Sequence, residues 1–203
     1  MQTRSETTRQ TLVRATAELI ANGQLSDAGL VNICHRAGVS RGALYHHFPS
    51  TAALVAAVYK QARSRVVVLT EEAFEGPAAD APERFLAALG ESLRTEEVVR
   101  AGMRLAADGS AGPPRLRDDL LKLVRQRISD AHRDTVRPAQ KLADLADLAV
   151  VVAAGLESLG YSNGVWWDAE TARRLWGLLR PLYSPEGGER EWEQGREQER
   201  ERG

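Results

Sequence analysis

Apolar side chains recur every three or four residues along most of the chain, which is the spacing that gives a helix one buried face. Strict alternation of apolar and polar residues, the sign of half-buried strands, does not dominate any segment. The pattern therefore favours an all-α protein of helices packed on helices. In the first 75 residues we predict four helices, at 7–22, at about 29–37, from Ser40 to about Phe48, and from residue 51 to about Phe74.

Glycines and short polar side chains mark the ends of these helices. Glycine can adopt the positive φ that often ends a helix, and Ser, Thr or Asp can cap the first turn of the next one. The predicted ends are Gly23 and Gly38, and the predicted N-caps are Asp27, Ser40 and either Ser50 or Thr51.

The helix that begins at Ser40 has a polar face that packing alone would not select. Leu44 and Phe48 fall on one side at helical spacing, with Val39 placed to fill the gap to the preceding helix. The opposite side carries two hydrogen-bond donors, an aromatic ring and a bare backbone position, at Arg41, Gly42, Tyr45 and His46. Two short helices joined by a tight turn, with such a face on the second, are typical of a helix lying in the DNA major groove.

The later chain continues the helical pattern. A Gly-Pro-rich loop at 76–82 is followed by predicted helices at 83–94, 96–107, 116–133, 142–159 and 168–183, with a second Gly-Pro loop at 108–114. We predict a helix-turn-helix domain at 1–50, a helical ligand-binding and dimerisation domain at 51–183 whose boundary lies inside the 50–74 helix, and an acidic, disordered tail at 184–203.

Residues 148–156 are apolar or small on every side of their helix, which predicts burial on both faces. One interpretation is that the helices 142–159 and 168–183 pair with the same two helices of a second subunit, as in a four-helix dimer interface. The alternative is burial inside one subunit. The pattern leaves both open.

Composition limits the location of the protein. No run of eighteen apolar residues appears, and residues 1–10 are polar, so neither a membrane span nor a signal peptide is predicted. Cys34 is the single cysteine, which excludes an intrachain disulfide and favours the reducing cytoplasm.

The net charge of −1 is unevenly distributed. Residues 1–50 carry five Arg against three Asp or Glu, and residues 184–203 carry four Arg against seven Glu. A surface that binds phosphates is therefore expected only in the N-terminal part.

Catalytic and metal-binding chemistry has little support in the sequence. The only clustered thiol and imidazole groups are Cys34 with His35 and His46 with His47. Adjacent residues on a helix point about 100° apart, so neither pair can chelate from one face, and no zinc spacing is present. We predict no enzyme activity, no metal and no cofactor.

Residues 7–54 resemble the DNA-binding domain of the TetR family of bacterial repressors. The resemblance rests on Arg9, the Ala-rich first helix, Gly23, Ala37-Gly38-Val39-Ser40, Gly42, Leu44-Tyr45 and His47-Phe48. Residues 98–106, followed by a Gly-Pro loop, are similar to the γ-butyrolactone autoregulator receptors that control antibiotic production. These resemblances imply a homodimer with a helical ligand lobe that releases operator DNA when a small molecule binds.

The resemblance assigns DNA contacts residue by residue. The implied contacts are Ser40, Arg41, Gly42, Ala43, Tyr45, His46, His47 and Thr51. Two positions depart from the family pattern, since Gly29 replaces a Thr that caps the second helix and touches phosphate, and Thr51 replaces a phosphate-binding Lys. The electrostatic part of DNA binding should therefore be weaker and its salt dependence shallower.

The resemblance also indicates a ligand site. Its implied lining is Gln61, Ala62, Phe85, Met103, Leu120, Val124 and Leu156. As we align them, butyrolactone receptors carry Gln near Ala62, Trp at Leu120 and Thr near Leu156, so three aliphatic side chains replace groups that would hold a lactone. We therefore expect either a different, more apolar or larger ligand, or a pseudo-receptor that responds to an antibiotic or its precursor.

The predicted function is a dimeric repressor that binds a pseudo-palindromic operator and is released by a small, largely apolar signalling molecule or antibiotic. A second interpretation, favoured by Gly29, Thr51 and the near-neutral charge, is a ligand-sequestering or protein-interaction module with weak or lost DNA binding.

Overall fold

The computed structural model describes residues 4–23, 29–77, 80–107, 116–131 and 139–183. All regular structure in these ranges is helical, as the apolar periodicity predicts. The helices are α1 (Arg4–Ala21), α2 (Leu30–Ala37), α3 (Arg41–His47), α4 (Thr51–Phe74), α5 (Ala81–Thr95), α6 (Glu97–Ala107), α7 (Leu116–Ala131), α8 (Ala139–Gly160) and α9 (Ala169–Tyr183), with a short 3-10 helix (Gly164–Trp167) between the last two.

The chain forms two compact units. Unit 1 comprises residues 1–68 and 92–119, and unit 2 comprises residues 69–91 and 120–203. The two units are defined by packing. The predicted boundary at residue 50 separates a DNA-binding from a ligand-binding function, and it stays a prediction.

The core of unit 1 joins the first four helices to α6. Leu12 and Ile20 of α1, Ile33 of α2, Leu44 of α3 and Leu54 of α4 are all fully buried in one apolar cluster. The cluster also contains Ala101 of α6, with Val98 and Leu105 packed against it. Helix α6 is therefore part of the support of the N-terminal helices, although some fifty residues separate them in sequence.

Helices α4 and α6 approach each other closely inside unit 1. A Cβ added to Gly102 would lie 2.2 Å from the Cβ of Ala62, a distance that real side chains do not reach. Arg65 of α4 also donates to both carboxylate oxygens of Glu96 at 3.0 Å, just before α6 begins. A second ion pair joins Arg63 of α4 to Asp119, and the hydrogen bond with Asp119 raises the pKa of the Arg63 guanidinium.

Unit 2 has a mainly apolar core, and polar contacts also join its helices. Its buried residues include Phe85, Leu89, Leu120, Val124, Ile128, Ala149, Ala153, Leu156 and Trp176. Arg125 of α7 donates to both oxygens of Asp147 of α8, at 2.6 to 3.0 Å. The side chain of Glu157 is buried in this interior, and its backbone oxygen accepts a hydrogen bond from the Trp167 indole at 3.2 Å.

Several helix ends differ from the sequence prediction. Helix α5 begins at Ala81 and not at 83, because Pro82 fits in a first turn, where a missing N–H costs nothing. Helix α8 is longer than predicted at both ends, and the 3-10 helix Gly164–Trp167 was not predicted. Asp27 lies outside the described residues, and Gly29 holds the N-cap position of α2.

Of the two interpretations of residues 148–156, burial of both faces inside one subunit does not fit the structure, and cover by a second subunit stays a prediction. Val151 is 66% exposed, and Gly155 is exposed on the same side of α8. The other face of the helix is buried through Ala149, Ala153 and Leu156. The outer face is therefore apolar and has no cover from the described residues.

Candidate nucleic-acid interface

The turn between α2 and α3 is set by one glycine and one serine. Gly38 has φ of 64°, the left-handed conformation predicted for it, and the N–H of Val39 donates to the Cys34 carbonyl at 3.0 Å. The Ser40 hydroxyl accepts a hydrogen bond from the N–H of Ala43 at 3.2 Å and so caps α3. These contacts confirm the predicted helix-turn-helix geometry and fix the direction of α3.

Helix α3 has one packed face and one solvent face. Leu44 and Phe48 are buried in the core of unit 1, as predicted. The side chains of Arg41, Tyr45 and His46 are exposed on the other side. A seven-residue helix is not stable alone, so the buried face holds the exposed one in place.

The remaining predicted DNA contacts lie beside this face. Ala43 and His47 are half-buried, Ser40 and Gly42 are exposed, and the rings of His46 and His47 meet edge to face at 5.2 Å. Thr51 is the first residue of α4 and is half-buried. We refer to Ser40, Arg41, Gly42, Tyr45 and His46 as the recognition face.

Gly42 is not required by the fold. Its φ is not positive, and an added Cβ would meet nothing in the chain closer than the Ser40 hydroxyl at 3.9 Å. Glycine inside a helix costs about 1 kcal/mol relative to alanine. A residue that weakens α3 without helping its packing is consistent with an outside molecule that approaches the backbone closely.

The arginines near the recognition face have different surroundings. Arg36 of α2 pairs with Glu18 of α1 at 3.0 Å, and the guanidinium of Arg9 lies 5.0 Å from the centre of the Phe48 ring. Arg41 has no ion-pair partner among the residues that the structure describes. Arg36 and Arg9 thus contribute to the packing of the N-terminal helices, while the charge of Arg41 faces solvent.

The two positions that depart from the family pattern have clear local consequences. Gly29 occupies the N-cap of α2, and no side chain caps that helix. Ser50, and not Thr51, caps α4, because its hydroxyl accepts from the N–H of Ala53 at 3.1 Å.

The predicted ligand residues are distributed over both units. Gln61, Ala62 and Met103 belong to unit 1, whereas Phe85, Leu120, Val124 and Leu156 belong to unit 2. Ala62 and Met103 are buried, and Ala62 faces Gly102 at close range. Gln61 is exposed and lines a polar cleft of about 800 Å³ in unit 1. The four residues of unit 2 are buried in its core, so the ligand site stays a prediction.

The cleft was missed in the sequence because its residues come from separate helices. The one local signal is Thr7, Thr11 and Arg14, which share a face of α1 at spacings of four and three residues.

Other chemistries have no geometric support in the described part of the chain. Across those ranges, no group of three His, Cys, Asp or Glu side chains is placed to hold a metal ion. No helix there is long and apolar enough to cross a membrane. Cys34 is buried in the core of unit 1.

Comparison with known proteins identifies the N-terminal region. The profile of the bacterial regulatory proteins of the tetR family matches residues 12–58, which include all the predicted DNA contacts. UidR of Escherichia coli K12, an HTH-type transcriptional regulator, is 34% identical over 76 residues, which are 37% of this chain and 39% of UidR. The chain thus spans about two fifths of the length of the curated relatives that it matches.

Solved structures resemble nearly the whole chain. CprB of Streptomyces coelicolor, a TetR family protein solved with its operator sequence, is 25% identical, with a TM-score of 0.68 over 88% of each chain. A γ-butyrolactone receptor of the ArpA-like type is 23% identical, with a TM-score of 0.66 over 86% of this chain and 98% of the receptor. The second likeness shows the fold alone. The predicted resemblance of the N-terminal residues to the TetR family is confirmed, and the resemblance to the γ-butyrolactone receptors is confirmed at the level of the fold.

Proposed function

We propose that this chain, whose residues 12–58 match the profile of the tetR family of bacterial regulatory proteins, is a dimeric, ligand-responsive repressor of transcription in the cytoplasm. The observation that carries the proposal is the recognition face, where exposed Arg41, Tyr45 and His46 lie over a fully packed support. Donors and aromatic groups on a fixed short helix suit the base edges and phosphates of the major groove.

The roles of the recognition face follow from side-chain chemistry. Arg41 is suited to a bidentate contact with a guanine edge, and Tyr45 and His47 are suited to phosphates or a thymine methyl. Gly42 leaves room for the DNA backbone against α3. His46 extends the polar surface at the end of the helix.

The dimer part of the proposal is supported by α8 and α9. Val151 and Leu159 of α8 and Leu178 and Leu182 of α9 are large apolar side chains that this chain leaves exposed. We call them the α8–α9 face. Exposed apolar patches of this kind mark interaction sites, and a second copy of the same face would bury them symmetrically. In such a dimer two α3 helices would enter successive major grooves about 34 to 36 Å apart.

The effector is proposed to be small and largely apolar. The predicted lining of unit 2 consists of Phe85, Leu120, Val124 and Leu156, which offer no hydrogen bond to a lactone head group. The ligand must bind the state that does not fit the operator better than the one that does, because equal affinity shifts no equilibrium. Nanomolar binding of an unmodified γ-butyrolactone in calorimetry would contradict this assignment.

The decisive experiment is selection of bound fragments from genomic DNA, followed by binding assays on the selected site. Arg41→Ala and Tyr45→Ala should each weaken binding by about 1 to 3 kcal/mol without changing the oligomeric state. Lys60→Ala, exposed on α4 and outside the recognition face, is the matched control and should bind as the unchanged protein does. Unchanged affinity of both Arg41→Ala and Tyr45→Ala would contradict the proposal.

A second candidate function is a ligand-sequestering or protein-interaction module with weak DNA binding. The uncapped Gly29 and the neutral Thr51 favour it, because both remove contacts to phosphate that the family usually has. Retention on sheared DNA at low salt separates the two, since a module without DNA binding would pass through such a column.

A further inference from the structure

Arg9 occupies a position of α1 where packing alone would favour an apolar side chain. It precedes Val13, Thr16 and Ile20 at spacings of four, three and four residues, and those three side chains are at most 1% exposed. The four residues therefore share one face of α1, the face that packs into the core of unit 1. Arg9 is half-buried at the N-terminal end of this face, so it brings a charge to the edge of the core.

The guanidinium of Arg9 is oriented by an aromatic ring. Its central carbon lies 5.0 Å from the centre of the Phe48 ring, which is within the range of a cation–π contact. The ring is buried and the arginine is only half-buried, so the charged group lies at the boundary between core and solvent. A guanidinium that is already oriented loses less entropy when it binds a partner.

The charge of Arg9 is not neutralised by the part of the chain that the structure describes. Within those ranges its side chain makes no ion pair and no hydrogen bond, and its contact is with the Phe48 ring. Arg36 of α2, in contrast, pairs with Glu18 at 3.0 Å. A half-buried charge without a carboxylate is partly desolvated, and a negative partner from outside would offset that cost.

The position of Arg9 is beside the end of the recognition helix. Phe48 is the C-cap of α3, directly after His47, and Thr51 begins α4 three residues later. A guanidinium over the Phe48 ring is therefore close to the turn from α3 to α4. With α3 in a major groove, this end of the helix would lie near the DNA backbone, where most protein–DNA hydrogen bonds are made.

We propose that Arg9 is a further DNA contact, which donates to a backbone phosphate beside the end of α3 and is oriented for that contact by the ring of Phe48. The inference rests on the proposed function, because it requires DNA against α3. A hydrogen bond from arginine to phosphate is strong but carries no sequence information, so Arg9 contributes affinity and not base specificity. Its charge partly compensates for the neutral Thr51.

The salt dependence of DNA binding tests the role of this charge. In Arg9→Gln the plot of log affinity against log salt concentration should become shallower by about 0.9 for each subunit bound, which is a loss of about eightfold per subunit at about 0.1 M salt. The loss should be equal on the selected operator and on unrelated DNA, because both have the same phosphates. Arg9→Lys retains the charge and should retain the slope. Fluorescence anisotropy between about 50 and 200 mM salt measures these quantities.

The matched control is Arg14→Gln, which removes the same charge from the same helix. Arg14 is exposed and lies five residues after Arg9, so it points about 140° away around α1. This variant should leave both affinity and slope unchanged. Thermal unfolding followed by circular dichroism separates a purely structural role of Arg9, which predicts a lower midpoint and weaker operator binding with an unchanged slope.

The inference is overturned if Arg9→Gln binds DNA as the unchanged protein does, if its slope does not change, or if Arg14→Gln alters the slope equally. The proposed function is judged separately, on the unchanged protein. Failure of that protein to bind any DNA at low salt would end both proposals. Binding that depends on Arg41 and Tyr45 but not on Arg9 would contradict this inference alone.

Discussion

The recognition face of α3 and the α8–α9 face are both exposed, but they have opposite chemistry. The first presents Arg41, Tyr45 and His46, which water solvates well, above a core that is closed beneath them. The second presents Val151 and Leu178, with exposed fractions of 66% and 75%, which water solvates poorly. A polar face on a packed support is stable in water and suits a polar partner. An exposed apolar face, in contrast, is stabilised when another apolar surface covers it.

The difference indicates what each surface needs in order to function. The recognition face is complete in the single chain, because its geometry depends on the turn at Gly38, the cap at Ser40 and the buried Leu44. The α8–α9 face is incomplete, because none of the residues that the structure describes covers its apolar side chains. Binding of one operator half-site should therefore be a property of one subunit, and tight binding a property of two.

The largest expected effect comes from placing a charge on the α8–α9 face. In Leu178→Asp a symmetric interface would contain two buried carboxylates, so the dimer should dissociate at least about a hundredfold more readily. Operator affinity should fall by about 10² to 10⁴, the amount that linking two binding modules contributes. Sedimentation equilibrium and gel shifts on full and half operators measure the two effects.

The control for this variant is Lys122→Asp, which places the same charge at an exposed position of α7. It should remain as associated as the unchanged protein. A Leu178→Asp protein that stays dimeric would show that the α8–α9 face is not the dimer contact, and the contrast between the two surfaces would then lose its meaning.

The next largest effect tests whether the recognition face depends on the core beneath it. Leu44 is 0% exposed on the inner side of α3, so Leu44→Ala should lower the free energy of unfolding by about 2 to 5 kcal/mol through the cavity that it leaves. Val31→Ala removes an apolar side chain that is 57% exposed on α2 and should change stability by less than about 0.5 kcal/mol. Urea unfolding followed by circular dichroism compares them, and similar losses in both would contradict the packed support.

Much of this contrast could be read from the sequence, because it depends on local rules. The cap at Ser40, the positive φ at Gly38 and the inward Leu44 follow from residue type and helical spacing. The predicted start of α5 at residue 83 is wrong because the prediction assigned Pro82 to a loop, although proline also fits the first turn of a helix.

The parts that were missed depend on contacts between segments distant in sequence. Nothing local in residues 97–107 indicates that Ala101 joins the core of the N-terminal helices, or that Gly102 meets Ala62. The polar cleft likewise appears only when α1 and the α5–α6 junction are brought together. One face of the apolar run at 148–156 is buried, as its pattern predicts, but periodicity cannot say what covers the exposed face.

A smaller effect on stability is expected at the contact between α4 and α6 in unit 1. Gly102→Ala would place a Cβ 2.2 Å from that of Ala62, so α4 and α6 must separate slightly, at a cost of about 1 to 3 kcal/mol. Gly177→Ala, where an added Cβ meets nothing within 4 Å, should be neutral or stabilising by less than about 1 kcal/mol.

Exchanging the residues at positions 62 and 102 tests the contact between α4 and α6 more strictly. In the double variant Ala62→Gly with Gly102→Ala the clash is removed, since the next atoms around the new Cβ lie at 3.7 Å. The gain in helix propensity at one position also offsets the loss at the other. The double variant should therefore recover most of the stability lost in Gly102→Ala, and a cycle without such coupling would show that the two helices are not in register at this point.

The smallest expected effect concerns the two positions that depart from the family pattern, Thr51 at the edge of the recognition face and Gly29 at the N-cap of α2. Thr51→Lys adds one cation near the expected phosphates, so the plot of log affinity against log salt concentration should become steeper by about 0.9. Thr51→Gln, a neutral side chain of similar reach, controls for length and should leave the slope unchanged. Gly29→Thr fits its site, because φ is −64° and an added Cβ meets nothing within 4 Å. It should stabilise α2 by a few tenths of a kcal/mol and improve affinity without changing the slope, since a hydroxyl carries no charge. An equal change of slope in Thr51→Lys and Thr51→Gln would mean that this edge does not reach the DNA backbone, and that the recognition face binds through α3 alone.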